Sequence, residues 1–223
     1  MVRATKGYIG LPLEGYLARW YARITRGSMD DYRKGAADVN ARVAAGAKVL
    51  EVAPGPGYLS IELARFGRCH VVGLDISHSF VAMATESARQ AGVTAEFHQG
   101  DAAAMPFADN EFDFIICRAA FKNFSRPVEA LDEMHRVLRP GGQAWIVDLS
   151  KDASQDDINA CVADMNLGRA NSAIVRWTFK HMLLKRAKSR TEFERLARES
   201  AFGSCQIEAE SIGFNVWLTR PAA

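Results

Sequence analysis

Residues 49–57 read Val-Leu-Glu-Val-Ala-Pro-Gly-Pro-Gly, and they limit what this chain can become more than any other stretch. An apolar run closes on an acid, turns tightly through glycine and proline, and enters a helical pattern from Tyr58 to Phe66 at once. Glycine has no Cβ to hold a bound group away, so such a turn brings backbone amides and a helix N-terminus up to a ligand. A second apolar run, Val71-Val72-Gly73-Leu74, ends in Asp75, where a carboxylate can accept both hydroxyls of a ribose. Two strands ending in this way describe a nucleoside-binding crevice at the carboxyl edge of a parallel sheet.

The rest of the chain is consistent with such a sheet. Strand patterns near 48–53, 70–75, 94–98, 113–118 and 143–149 alternate with helical patterns near 57–66, 78–91 and 125–138. This alternation predicts an α/β fold, doubly wound, with helices on both faces of a mostly parallel sheet. Ahead of it, Leu13, Tyr16, Leu17, Trp20, Tyr21 and Ile24 recur at helical spacing. Gly27-Ser28 interrupts them, and Ser28 is placed to cap a second helix reaching about Ala45. The helix at 125–138 is expected to be capped by Ser125 and stopped by Gly141-Gly142. Ser189-Arg190-Thr191-Glu192 spells a capping box, and Cys205–Glu210 with Phe214–Thr219 reads as an antiparallel strand pair at one edge. With 223 residues and 48% hydrophobic content, one core suffices. The chain is therefore read as one domain: a helical cover (1–46), a cofactor-binding core (47–150), a helical lid (151–188) and a C-terminal helix with its strand pair (189–223).

Four motifs carry a family resemblance. Glu51-Val-Ala53-Pro54-Gly55-Pro56-Gly57 comes first, followed by Gly100-Asp101-Ala102-Ala103-Ala104-Met105-Pro106-Phe107. Phe112-Asp113-Phe114-Ile115-Ile116-Cys117-Arg118 and Glu133-Met134-His135-Arg136-Val137-Leu138-Arg139-Pro140-Gly141-Gly142 complete the set. In this order the chain from about 47 to 150 resembles the class I S-adenosylmethionine-dependent methyltransferases. Their first motif usually runs acidic-x-Gly-x-Gly-x-Gly, and Ala53 replaces its first glycine, a change that matters if position 53 needs a positive φ.

The resemblance implies a Rossmann-like methyltransferase fold, a seven-stranded sheet with a C-terminal antiparallel strand, and S-adenosylmethionine as cofactor. It implies that Glu51 organises the turn and faces the methionine end, while Ala53, Pro54, Gly55 and Gly57 present backbone to the ligand. Asp75 takes the ribose and Ile76 packs against adenine; Asp101 accepts from the adenine amino group, and the Ala102 amide donates to a ring nitrogen. Arg118 follows the fourth strand, where the backbone approaches the methionine moiety, and Tyr21 on the covering helix is a candidate cofactor or substrate contact.

Methyl transfer from a sulfonium needs an in-line nucleophile and exclusion of water, so no metal is expected. An oxygen acceptor would need a base, for which Asp148 after the fifth strand and His181 in the lid are the candidates. Trp177, Phe179, Met165 and Met182 could wall an apolar pocket, which favours a small organic methyl acceptor. Net charge is only +2, and the basic residues between Lys180 and Arg198 read as a solvated helical face, so nucleic acid is not the expected partner. Four scattered cysteines without a CxxC pair, and no apolar segment long enough for a signal peptide or a span, point to a cytoplasmic protein. Exposed aromatics on the first helix leave a homodimer open. The rival readings are a cofactor-binding module without catalysis, a methyltransferase for macromolecules, and an NAD-dependent oxidoreductase. Against the last, Ser60 stands where the dinucleotide fingerprint wants its third glycine.

Overall fold

Side chains of a strand alternate between the two faces of a sheet, and the central strands of this chain are apolar on both. The computed structural model describes residues 7–9, 13–164, 168, 175–177 and 183–222. Its elements run α1 (Gly15–Thr25), a 3-10 turn (Arg26–Ser28), α2 (Met29–Arg42), β1 (Lys48–Val52), α3 (Tyr58–Ala64), β2 (His70–Asp75) and α4 (His78–Ala91). There follow β3 (Ala95–Gln99), β4 (Phe112–Arg118), a 3-10 turn (Phe121–Asn123), α5 (Pro127–Val137), β5 (Leu138–Leu149), α6 (Gln155–Asp164), α7 (Arg190–Glu199), β6 (Gln206–Glu210) and β7 (Gly213–Thr219). The sheet has seven strands in the order β3-β2-β1-β4-β5-β7-β6. β1 to β5 pair in parallel, and β7 runs against β5 and β6. Leu50, Val72 and Ile115 belong to the core under α5 and α7; their neighbours Val49, Val71 and Phe114 belong to the core under α2 and α3.

Several local expectations are corrected. The C-terminal strands form the expected antiparallel pair at one edge, with β7 beside β5 and β6 outermost; the departures lie in the caps. Ser28 holds the N-cap position of α2 without making a side-chain capping bond. α5 has Arg126 at its N-cap position and Pro127 at its first, where proline's fixed φ and missing N–H do no harm. It ends at Val137, and Gly141 and Gly142 lie inside β5, at a break in register where Phe112 faces Leu138 and Phe114 already faces Gln143. Pro140 cannot continue a helix and disfavours helical backbone in the residue before it. The carbonyls left open at this end are answered from elsewhere: one Arg220 guanidinium nitrogen is shared among the oxygens of His135, Arg136 and Leu138. The capping box forms as expected, with Ser189 Oγ accepting from the Glu192 amide and the Glu192 carboxylate from the Ser189 amide.

Two N-terminal segments are laid over the carboxyl edge of the sheet. Ile9 donates to the Asn123 carbonyl (2.8 Å), and Tyr8 bridges to Phe124 in antiparallel fashion. Next to α1, the Glu14 carboxylate accepts from the amides of His78 and Ser79 at the start of α4 (3.1 and 3.0 Å). The Ser77 hydroxyl donates to the Leu13 carbonyl (2.8 Å). α1 is thereby held as a cover over the strand ends.

Candidate functional site

The strand order puts a crevice where the winding reverses. The chain runs outward through β2 and β3, then returns to place β4 on the other side of β1. Loops leaving β1 and β4 therefore part over opposite faces and open a cleft at the carboxyl ends of the strands. A cavity of about 860 Å³, counting its open mouth, lies there, lined by Tyr21, Ala53, Gly55, Asp75, Ile76, Asp101, Ala102 and Arg118 among others. A second lobe of about 620 Å³ shares Tyr21, Ala53, Gly55 and Arg118 and adds Glu51 and Pro54. Gly57 lines neither: it sits at φ 80°, and a Cβ there would come within 2.8 Å of the Ala84 methyl. The third position of the turn thus stays glycine for packing against α4.

Asp75 closes β2 and is buried. Its Oδ2 accepts from the Gly55 amide (3.0 Å) and its Oδ1 from the Ser77 amide (2.9 Å). Burial pushes its carboxyl up to about 6 against the pull of those amides. Helix capping falls instead to the Ser77 hydroxyl, which accepts from the Phe80 amide. A carboxylate has about four lone-pair sites, and Asp75 uses two on backbone, so it can accept two further donors. Among the described residues nothing stands within 4 Å of where a Gly55 Cβ would be, so they leave the approach to it open.

Glu51, at the end of β1, is buried as well, and the Ser60 hydroxyl donates to its Oε2. Burial pushes it to about 7, with Ser60 and the Arg118 charge working against the shift. Arg118 itself donates to the Asp31 carbonyl (2.9 Å) and lies over the Tyr32 ring (5.5 Å), joining the crevice wall to α2. Tyr21 faces the cavity from α1, edge-on to Phe80 (5.7 Å), and burial raises its hydroxyl to about 12. At neutral pH it is therefore a hydrogen-bond donor and not a base.

Ala53 takes φ 58°, the left-handed region that disfavours every residue but glycine. The turn demands it, because the Ala53 amide must reach the Leu74 carbonyl (2.7 Å) before the chain reverses. The strain is about 1 kcal/mol, close to the backbone entropy that glycine would bring. Ala53→Gly is therefore expected to leave stability within about 1 kcal/mol of the parent, while the β-branched Ala53→Val lowers it by about 1–3 kcal/mol. Urea denaturation distinguishes them; equal loss from both would show that φ at this position is not the constraint.

Asp101 lies at the crevice but its carboxylate is engaged. Oδ2 takes an ion pair from Arg126 (2.7 Å), Oδ1 accepts from the Ala103 amide (2.9 Å), and Gly7 packs directly on the group. Ala102 and Ile76 line the cavity without such commitments. Asp148, considered above as a base, lies outside both lobes and is bound on both oxygens. Oδ1 accepts from Lys122 Nζ and the Leu149 amide, Oδ2 from the Lys122 amide, all at 2.8 Å. It clamps the loop after β4, whose Asn123 and Phe124 do line the crevice. His181, with Met165, Phe179 and Met182, lies outside the described residues. Tyr8, Leu13, Glu14, Ser77 and Phe80 line the cavity too, and only the aromatic content of the N-terminal stretch hinted at any of them.

These groups fit a nucleoside with a cationic tail. Asp75 has unused acceptor sites behind an open approach, Ile76, Phe80 and Ala102 offer apolar surface, and Glu51 adds a second acid at the far lobe. Residues 50–146 match a family model described as a methyltransferase domain. The ubiquinone/menaquinone biosynthesis C-methyltransferase UbiE of Roseobacter denitrificans is 40% identical over 110 residues, 48% of this chain and 44% of that protein. The demethylmenaquinone methyltransferase of Chlorobaculum parvum is 38% identical over 101 residues, 45% and 40% of the two chains. The matches thus span less than half the length of these relatives. Among solved structures, one from Methanococcus maripaludis, assigned to the S-adenosylmethionine-dependent methyltransferases, superposes with a TM-score of 0.75 at 21% identity, covering 95% of both chains. Residues 50–146 thus match a methyltransferase domain, and the chain shares its fold with solved structures assigned to the S-adenosylmethionine-dependent methyltransferases.

Proposed function

We propose that this protein transfers the methyl group of S-adenosylmethionine to a small, largely apolar organic acceptor. The observation that carries the reading is one crevice with two kinds of wall. Its lining combines strand-end acids and the Gly55 turn with the aromatic rings of Tyr8, Tyr21 and Phe124. The cofactor, when bound, supplies a methyl group on a cationic sulfonium, open to in-line attack. Asp75 would hold the ribose, Ile76 and Ala102 the adenine, and Glu51 with the Gly55 turn the methionine end. The aromatic wall would exclude water and orient the acceptor, and Tyr21 would donate to it.

Both relatives cited above carry quinone names, which favours a ring-bearing acceptor. Tyr8, Leu13 and Tyr21 lie outside residues 50–146, so acceptor choice rests partly on segments beyond the matched domain. The described helices include none long and apolar enough to cross a membrane. The four cysteines are scattered along the sequence with no CxxC pair, a pattern that suits a reducing compartment, and we place the protein in the cytoplasm on that ground.

The test is transfer of a labelled methyl group from S-adenosylmethionine into a size-fractionated cell extract, alongside thermal shifts with S-adenosylhomocysteine and NAD. Label in the small-molecule fraction and a raised midpoint with S-adenosylhomocysteine are expected. Label confined to macromolecules would overturn the acceptor class, and stabilisation by NAD alone would overturn the cofactor.

A further inference from the structure

α1 turns one side to the crevice and the other to solvent, and its solvent side is unusually apolar. Tyr16, Leu17, Trp20 and Ile24 are 78%, 43%, 49% and 52% exposed. At a helical repeat of about 3.6 residues, Tyr16, Trp20 and Ile24 stand in one row with Leu17 beside it, opposite the buried Ala18. Arg19, Arg23 and Arg26, all exposed, form the adjoining row. No acidic residue occurs from Gly15 to Met29, and the Glu14 carboxylate is already taken by the His78 and Ser79 amides.

The charge pattern selects the occupant. An antiparallel two-fold contact with a second copy would set this face against itself and bring both arginine rows to the same side, with no carboxylate from either α1 to answer them. An anionic lipid surface answers every part of the pattern. Tyr and Trp rings suit the headgroup level, Ile24 and Leu17 the acyl boundary, and the arginine row the lipid phosphates. We propose that the exposed face of α1 is a docking surface for an anionic bilayer, on which the protein sits peripherally. Tyr21, on the inner side of the same helix, lines the crevice, so docking would hold the crevice close to where an apolar acceptor partitions. That consequence rests on the acceptor reading above; the docking itself does not.

The test is co-sedimentation of the full chain with vesicles of phosphatidylglycerol and phosphatidylcholine, against phosphatidylcholine alone. Binding to the anionic vesicles is expected, falling as salt is raised. Arg19→Glu with Arg23→Glu, and separately Trp20→Ser with Ile24→Ser, should each weaken it by about tenfold or more. Both variants should keep the parent melting midpoint and its shift with S-adenosylhomocysteine, which separates loss of docking from loss of the fold or of the cofactor site. No sedimentation of the parent, or equal sedimentation of the variants, overturns the proposal. So does a concentration-dependent dimer in light scattering that Ile24→Ser dissolves.

Discussion

Asp75→Ala is expected to weaken S-adenosylhomocysteine by about a hundredfold. Two hydroxyls donating to a carboxylate are charge-assisted bonds worth about 1.5–3 kcal/mol each, and about 1.4 kcal/mol is tenfold in affinity. The same substitution should lower stability by about 1–3 kcal/mol, because the buried amide of Ser77 and the half-buried amide of Gly55 lose their acceptor. Calorimetry must therefore be run where the variant is still folded. The pH dependence gives an independent check, since only the ionised carboxylate accepts from both hydroxyls. Burial holds Asp75 near 6, so affinity should climb as pH rises through about 6 and collapse below it. Stability of the free protein should move the other way. A carboxyl whose folded value lies above its ordinary value of 3.8 favours the fold below about 4, and that contribution is lost as pH rises through 6. Glu51, raised to about 7, extends the loss to neutral pH. An affinity that is flat between pH of about 5 and about 8, and unchanged in Asp75→Ala, would mean that the ribose lies elsewhere.

What was legible in the sequence is what neighbouring residues decide. Val49-Leu50 and Ile115-Ile116 announce strands buried on both faces, and both pairs divide between the two cores. The turn from Val52 to Gly57 brings Gly55 onto Asp75 because β1 and β2 are paired in register, Val52 beside Leu74. The Ser189 capping box closes within four residues. What sequence reading missed depends on distant partners. α5 ends at Val137, short of the Gly141-Gly142 pair, and the carbonyls at its end are met by Arg220, 82 residues beyond Leu138, a partner that no local pattern reveals. Asp101 looks free in its motif but meets Arg126 and the backbone of Gly7 in space. Glu14 caps α4 across 64 residues, and no local pattern marks an acid for that task. The left-handed Ala53 is a different case: its motif position pointed to glycine, yet only the backbone shows that the strain is accepted.

Lys122→Met is expected to cost about 3–5 kcal/mol, the larger stability effect of the two. Lys122 and Asp148 are both buried, and the lysine is tied at 2.8 Å to Asp148 Oδ1 and also to the Ala119 carbonyl. Removing the ammonium leaves Asp148 as a buried charge with only the amides of residues 122 and 149 to answer it. The double variant Lys122→Met with Asp148→Asn removes both charges and keeps an amide oxygen as acceptor for one of those N–H groups. It should therefore recover about 1–2 kcal/mol relative to Lys122→Met alone, a departure from additivity that urea denaturation can measure. Simple addition of the two single losses would show that the pair is not the buried ion pair described. Function should follow in a particular way. The clamp fixes Ala119, Ala120, Asn123 and Phe124 along the crevice, but Asp75 and the Gly55 turn are held by separate bonds. Acceptor KM should therefore rise in Lys122→Met, while affinity for S-adenosylhomocysteine changes less, because loosening this loop deforms the aromatic wall and leaves the ribose anchor in place.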